Sequence, residues 1–305
     1  TALLVRMYKA ADLEIYPVLI STSYNGKIDT SFATPNNFVH VIGYSPEIEG
    51  GIWLDPTARN CSFGQVPSYL QGMQGLIISR EKEENFRTLP GSTHKDNKID
   101  YSLKINLDHD NNYIIKGHNI FTGLAAAEFR KNYMDLDSAS SKKYLEKYFA
   151  DTYNRAQLQN YRIKNLDPES DSLELNYKLK RQLSSISNKL IISPLDLIDF
   201  KFRDKFLHKK RNHPIQLDYP YTKTLSIDIE LPDTYSIEYS TAEKKFFTKL
   251  GGFKTSTSQS NNEYKISSRF EIRQNHIPVS FFLQFREIIS RCVDSFEPIL
   301  IREEK

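Results

Sequence analysis

Phe38–Ala58 reads FVHVIGYSPEIEGGIWLDPTA, and this stretch decides how the first part of the chain folds. Phe38–Tyr44 and Gly51–Asp55 are short, apolar and rich in β-branched and aromatic residues, which predicts two strands. Between them SPEIEG supplies the Pro and Gly of a connecting turn. A hairpin with its apex between positions 47 and 48 sets His40 opposite Asp55. Facing residues on antiparallel neighbours hold their Cβ atoms roughly 4.5–5.5 Å apart. At that range a carboxylate bonds one imidazole nitrogen, fixes the ring's tautomer and orientation, and leaves the other nitrogen for a nucleophile. With a thiol partner, the imidazolium lowers the cysteine pKa and holds a reactive thiolate. Spacing alone also admits a histidine merely packed in a strand and an aspartate that starts a turn before Pro56. Trp53, the only tryptophan, falls on the face of Asp55 by strand alternation. It is either a roof over the site that meets substrate or a core residue.

Working outward, the preceding TALLVRMYKAADLEIYPVLI (1–20) carries apolar residues at helical spacing up to about position 13, which reads as the end of a buried helix. A strand over Glu14–Ser21 follows. The sequence enters this helix without a start Met or a leader, which reads as the later part of a longer protein. Apolar surface on residues 1–20 and 38–55 would then be bare, and self-association through it is expected. After Asp55, loop-like sequence runs to Gly75, followed by a short apolar run and a polar, charged stretch over 80–98 that marks a domain boundary.

Beyond that boundary Ile99–Leu107 alternates cleanly, Asp108–Asn112 is a turn and Tyr113–His118 a return strand, together a hairpin. Thr122–Tyr153 is the longest helical stretch, interrupted and recapped at Asp135–Ser141. Strands are predicted over 159–165, 172–183, 188–192, 215–219, 224–231, 235–239, 243–250 and 263–274. Gly251, Gly252 and the Ser/Thr/Asn tract 255–262 read as punctuation between them. A helix over Pro278–Val293 and a strand over Pro298–Glu303 close the chain. The division expected is 1–88, then 89–220 as a β-rich unit with a helical insertion, then 221–305 as a second β-rich unit.

Composition removes several function classes. Hydrophobic residues make up 39% of the 305, with 18 Tyr and 18 Phe, enough to fill cores. With 41 basic and 38 acidic residues the balance does not call for nucleic acid, and KFLHKKR (205–211) reads as a solvated face. Cys61 and Cys292 are too far apart for a disulfide framework or a Cys-rich zinc site. The seven histidines show no HExxH-like spacing, so neither metal nor cofactor is expected. No run approaches the 18 or more apolar residues of a membrane-spanning helix.

Three ordered landmarks carry a family resemblance. TALLVRMYKAADLEIYPVLIS reads like the continuation of a helix that begins with a Cys, FVHVIGY like a His-bearing strand with Val39 where Asn is usual, and Trp53-Leu54-Asp55-Pro56-Thr57 like an aromatic-Leu-Asp-Pro-Thr strand. PSYLQGMQGLIIS (67–79) resembles the segment that follows. Residues 1–78 thus resemble the second half of a transglutaminase-like domain of bacterial extracytoplasmic proteins. Gly123 and Arg130, Arg211–Ile215 and Leu231-Pro232 resemble features of the extension that accompanies it. The resemblance implies an α+β fold: a papain-like, transglutaminase-like remnant followed by a mainly β, sandwich-like region with helices. It implies a Cys-His-Asp triad in which His40 exchanges protons and Asp55 orients it, a protein or peptide substrate, and a periplasmic or secreted location. The triad's cysteine would stand a few residues before Thr1. Cys61, after the Asp and in a loop, does not replace it, so the chain as given is expected to be inactive. The rival class is a non-catalytic binding or scaffolding protein built on a degenerate transglutaminase-like fold beside β-sandwich modules.

Overall fold

The computed structural model describes residues 1–305 apart from 30, 32–33, 49, 80–84, 108–111, 154–155, 183, 187–188, 198–209, 240–242, 261–262 and 304–305. Most of KFLHKKR and of the turn at 108–112 therefore lies outside the described residues. The rest is an α+β fold dominated by antiparallel strands.

The first unit opens with helix α1 (Ala2–Ala10) and continues with β1 (Tyr16–Ile20), β2 (His40–Ser45), β3 (Ile52–Leu54), β4 (Gln74–Ile77) and β5 (Phe86–Thr88). They form one antiparallel sheet in the order β3-β2-β1-β4-β5. Strand alternation sorts its side chains by face. Ile15, Ile52 and Leu54 meet Leu4, Val5 and Tyr8 of α1, while Val18, Ile20, Ile42, Tyr44 and Trp53 build a core with Val66, Leu70 and Leu89 on the other side. The expected buried helix is corrected in one respect: no residue of α1 is fully buried. Only its Leu4/Val5/Tyr8 stripe packs, and Leu3 and Met7 are 71% and 59% exposed, with Leu13, Val39 and Val41 also open to solvent.

The chain then runs through β6 (Lys98–Leu107), β7 (Asn112–Thr122), α2 (Leu124–Tyr133), α3 (Ser138–Thr152), β8 (Gln157–Lys164) and β9 (Ser172–Gln182). β10 (Ser184–Ile186), β11 (Lys189–Ile192), β12 (Ile215–Gln216), β13 (Tyr221–Glu230), β14 (Tyr235–Tyr239) and β15 (Lys244–Thr248) follow. β16 (Gly251–Ser260), β17 (Glu263–Ile272), β18 (His276–Ile277), α4 (Phe282–Val293) and β19 (Ile299–Glu303) end it. Eight strands form one sheet, β15-β16-β17-β13-β6-β7-β9-β8, whose single parallel pair is β13 with β6. The sheet draws strands from both sides of position 220, and a continuous apolar core runs beneath it. β10-β11-β19-β14 form a second, smaller sheet. The break between α2 and α3 falls where Asp137 caps α3, its carboxylate accepting from the Ser140 amide at 2.7 Å.

β16 corrects the sequence expectation. Gly251, Gly252 and the tract from Thr255 were expected to separate strands, yet Gly251–Ser260 pairs along its whole length with β17. Phe253 and Thr255 are buried, and Thr255 shares hydroxyl contacts with Ser268 and Ser295. Cross-strand partners on both edges outweigh the weak strand preference of Gly and Ser.

Gly117, mid-strand in β7, faces Tyr177 of β9. A Cβ there would fall 2.0 Å from Tyr177 Cζ. Tyr177 cannot give way, being buried with its hydroxyl donating to Asn119 Oδ1 at 3.1 Å and bonded to Tyr153. Gly117→Ala should cost about 2–3 kcal/mol, read as a lower urea midpoint at unchanged slope.

Candidate active site

Asp55 leaves β3 as the first residue of Asp-Pro-Thr. Its Oδ1 accepts from the Thr57 amide at 2.9 Å and the Thr57 hydroxyl at 2.7 Å. This is an Asx-type turn, in which a short acidic side chain bonds the backbone two residues on. Its Oδ2 meets His40 Nε2 at 2.9 Å and accepts from the Tyr69 hydroxyl at 2.9 Å. The Asp55 side chain is 1% exposed and that of His40 21%. A carboxylate so enclosed is tolerated because every lone-pair direction is used. Burial pushes its pKa up, but hydrogen bonds from Thr57, His40 and Tyr69 together outweigh this and hold it below the ordinary carboxylate range. Asp55 is thus an anion at neutral pH. His40 Nδ1 makes no hydrogen bond among the described residues.

The hairpin register differs from the symmetric one. Gly43 pairs Leu54, Tyr44 pairs Trp53 and Ser45 pairs Ile52, so the turn centres between 48 and 49. Carried one residue past Leu54, that register shifts partners by two and brings Asp55 level with Ile42, with His40 on the diagonal. Diagonal neighbours share a face, and long side chains still reach each other there. Trp53 packs in the core, its ring 4.6 Å from that of Tyr44.

The aromatic residue at the pair is instead Tyr69, on a single 3-10 turn (Ser68–Leu70) after Pro67. Its ring meets His40 edge-on at 6.3 Å and stacks with Tyr24 at 6.4 Å. Burial, then the charge of Asp55, raises its pKa well above the usual phenol value, so Tyr69 stays a neutral donor. The sequence pointed to the PSYLQGM segment without singling out this residue; a tyrosine in a Pro-bounded loop has no periodicity to mark it.

Tyr69 and Thr57, both bonded to Asp55, also line a cleft of about 350 Å³. Its opposite wall is α2, with Leu124, Ala127, Glu128, Lys131 and Asn132, joined by Asp218 and Tyr219. The loop after Asp55 docks onto this second unit: Asn60 Nδ2 donates to the Ala127 carbonyl at 3.0 Å and Ser62 Oγ to that of Ser170 at 3.3 Å. The carbonyl of Ser170 is held in turn by the buried guanidinium of Arg130 at 2.6 Å.

Cys61 sits at this junction. Burial first, and the charge of Asp55 second, push its thiol up to about 11, with Arg130 opposing. A thiol so protonated is a poor nucleophile. Iodoacetamide at pH 7 should modify Cys61 about a hundredfold more slowly than an unhindered thiol, measured by mass spectrometry of the native chain. Cys292 is fully buried in α4 and its pKa is raised by burial. No group of three or more His, Cys, Asp or Glu among the described residues is arranged to hold a metal ion, and no helix among them is long and apolar enough to cross a membrane.

Against known proteins, residues 188–301 match a family model described as a domain of unknown function with a solved structure, DUF3858. No curated protein matches the chain. Among solved structures, the chain is similar to one described as a "putative protease" from Parabacteroides distasonis, with 11% identity and a TM-score of 0.49. The alignment covers 98% of this chain and 42% of that one, so the chain spans less than half of its length.

Proposed function

We propose that this chain carries the His-Asp part of a Cys-His-Asp triad on the second half of a papain-like, transglutaminase-like domain, and that the longer protein performs acyl transfer or hydrolysis on an amide. The observation that carries the proposal is the His40–Asp55 pair at 2.9 Å, with Asp55 clamped by Thr57 and Tyr69 and the other imidazole nitrogen without a partner among the described residues. In this reading the thiol, activated by imidazole, attacks the amide carbonyl and a thioester forms. His40 delivers a proton to the departing amine, then takes one from the incoming water or amine. Asp55 holds the ring and stabilises its charged form.

Two further features support the assignment. Thr1 Oγ1 donates to the Val41 carbonyl at 2.5 Å, so the N-terminal end of α1 lies against the strand that bears His40. A cysteine on the preceding turn would be close to that strand, at a helix N-terminus whose dipole favours a thiolate. Neither cysteine of this chain has such a setting.

The test uses the full-length protein with a thiol-directed peptide-amide probe. Labelling at a cysteine upstream of Thr1 that collapses in His40→Ala supports the triad. An upstream segment with no cysteine, or labelling indifferent to His40, would move the assignment to a non-catalytic scaffold on the same fold.

A further inference from the structure

The cleft beside the pair has a chemical character of its own. Its charged lining residues are Glu128, Asp218 and Lys131, and the ionised Asp55 lies directly behind the Tyr69 hydroxyl. Glu128 accepts from Tyr219 at 2.5 Å, and neither it nor Asp218 forms an ion pair among the described residues. Negative charge therefore exceeds positive there, and low-dielectric walls strengthen its field. Tyr24, Tyr69 and Tyr219 line it with aromatic side chains, a residue type that attracts cations. Ala58, Leu124 and Ala127 supply an apolar strip suited to a methylene stem.

We propose that this cleft receives a lysine or arginine side chain of the peptide substrate, with Glu128 and Asp218 as specificity-determining residues contributed by the region that follows the catalytic half-domain. Calling the occupant a substrate rests on the acyl-transfer reading above; its cationic character rests on the cleft alone. The cleft joins Tyr69 and Thr57, which hold Asp55, to α2. A basic side chain seated there would position the adjoining peptide along the edge of the His40–Asp55 pair. The second unit would thus select the substrate on which the first unit acts.

The experiment is calorimetric titration of the chain with two capped tripeptide amides, acetyl-Gly-Lys-Gly and acetyl-Gly-Glu-Gly. The lysine peptide is expected to bind about tenfold or more tightly than the glutamate one, more weakly as salt rises. Glu128→Gln and Asp218→Asn together should weaken it about tenfold. Both residues are exposed, so circular dichroism should show an unchanged fold. Equal affinity for the two peptides, no binding of either, or full affinity in the double variant would each overturn the proposal. Calorimetry involves no covalent step. Lysine-selective binding lost in the double variant supports the cleft assignment whatever the labelling experiment gives, and labelling that depends on His40 stands whatever the calorimetry gives.

Discussion

On the proposed triad, Asp55→Ala should lower the turnover rate of the longer protein about ten-thousandfold, the scale seen when the orienting carboxylate of a triad is lost. The fall should appear in kcat with little change in KM, because Asp55 faces the imidazole rather than the cleft's occupant. The variant also strands the Tyr69 hydroxyl, the Thr57 hydroxyl and His40 Nε2 in a half-buried setting. Asp55→Asn separates the effects. Its amide oxygen can still accept from Thr57, while its NH₂ meets the ring nitrogen that donated and so favours the wrong tautomer. Activity should fall nearly as far with a smaller loss of stability. The pH dependence has a definite sign. The folded-state pKa of Asp55 is lowered, so its stabilising contribution is complete above the unfolded value of about 3.9 and is lost as pH falls through the folded value. The stability gap between the parent chain and Asp55→Asn should therefore shrink as pH falls below about 4, as urea unfolding at a series of pH values would show.

Asn97→Ala is expected to destabilise the fold by about 3 kcal/mol. Asn97 is 1% exposed and uses its whole side chain. Its Nδ2 donates to the Pro220 carbonyl at 2.9 Å, the Ser92 hydroxyl at 2.8 Å and the Thr93 carbonyl at 3.2 Å. Its Oδ1 accepts from the Leu124 amide at 2.9 Å, serving the first turn of α2 just after Gly123. One side chain thus ties the linker after β5, the strand entry at β13 and the helix that walls the cleft. Gly123 has φ of 64°, and a Cβ there would meet the Asp96 carbonyl at 2.4 Å, so no other residue fits the junction without strain. The melting temperature of Asn97→Ala should fall by about 5 °C. A shift below about 2 °C would show that water replaces the lost bonds.

Local chemistry was legible where neighbours in sequence are neighbours in space. The alternation of Ile99–Leu107 and the return strand predicted the β6–β7 hairpin, and Asp135–Ser141 predicted the break that Asp137 caps. What the sequence concealed is decided by distant partners. β16 is a strand because β15 and β17 flank it, and β13 lies parallel to β6 through a connection no local pattern encodes. At the site, the sequence marked His40 and Asp55 but not the offset that makes them diagonal, since a turn centred one residue later leaves both strand patterns intact. Tyr69 escaped notice because its role depends on a loop returning to the sheet. Trp53 was left between roof and core, and its ring packs on Tyr44 in the core.

The most direct test of the central claim is the pH dependence of alkylation in the full-length protein, from pH 5 to 9, with and without His40→Ala. The triad predicts a cysteine upstream of Thr1 that reacts well below the ordinary thiol pKa of about 8.5 and returns to an ordinary profile when His40 is removed. A profile that is ordinary in both proteins, or an upstream segment with no reactive thiol, would contradict it.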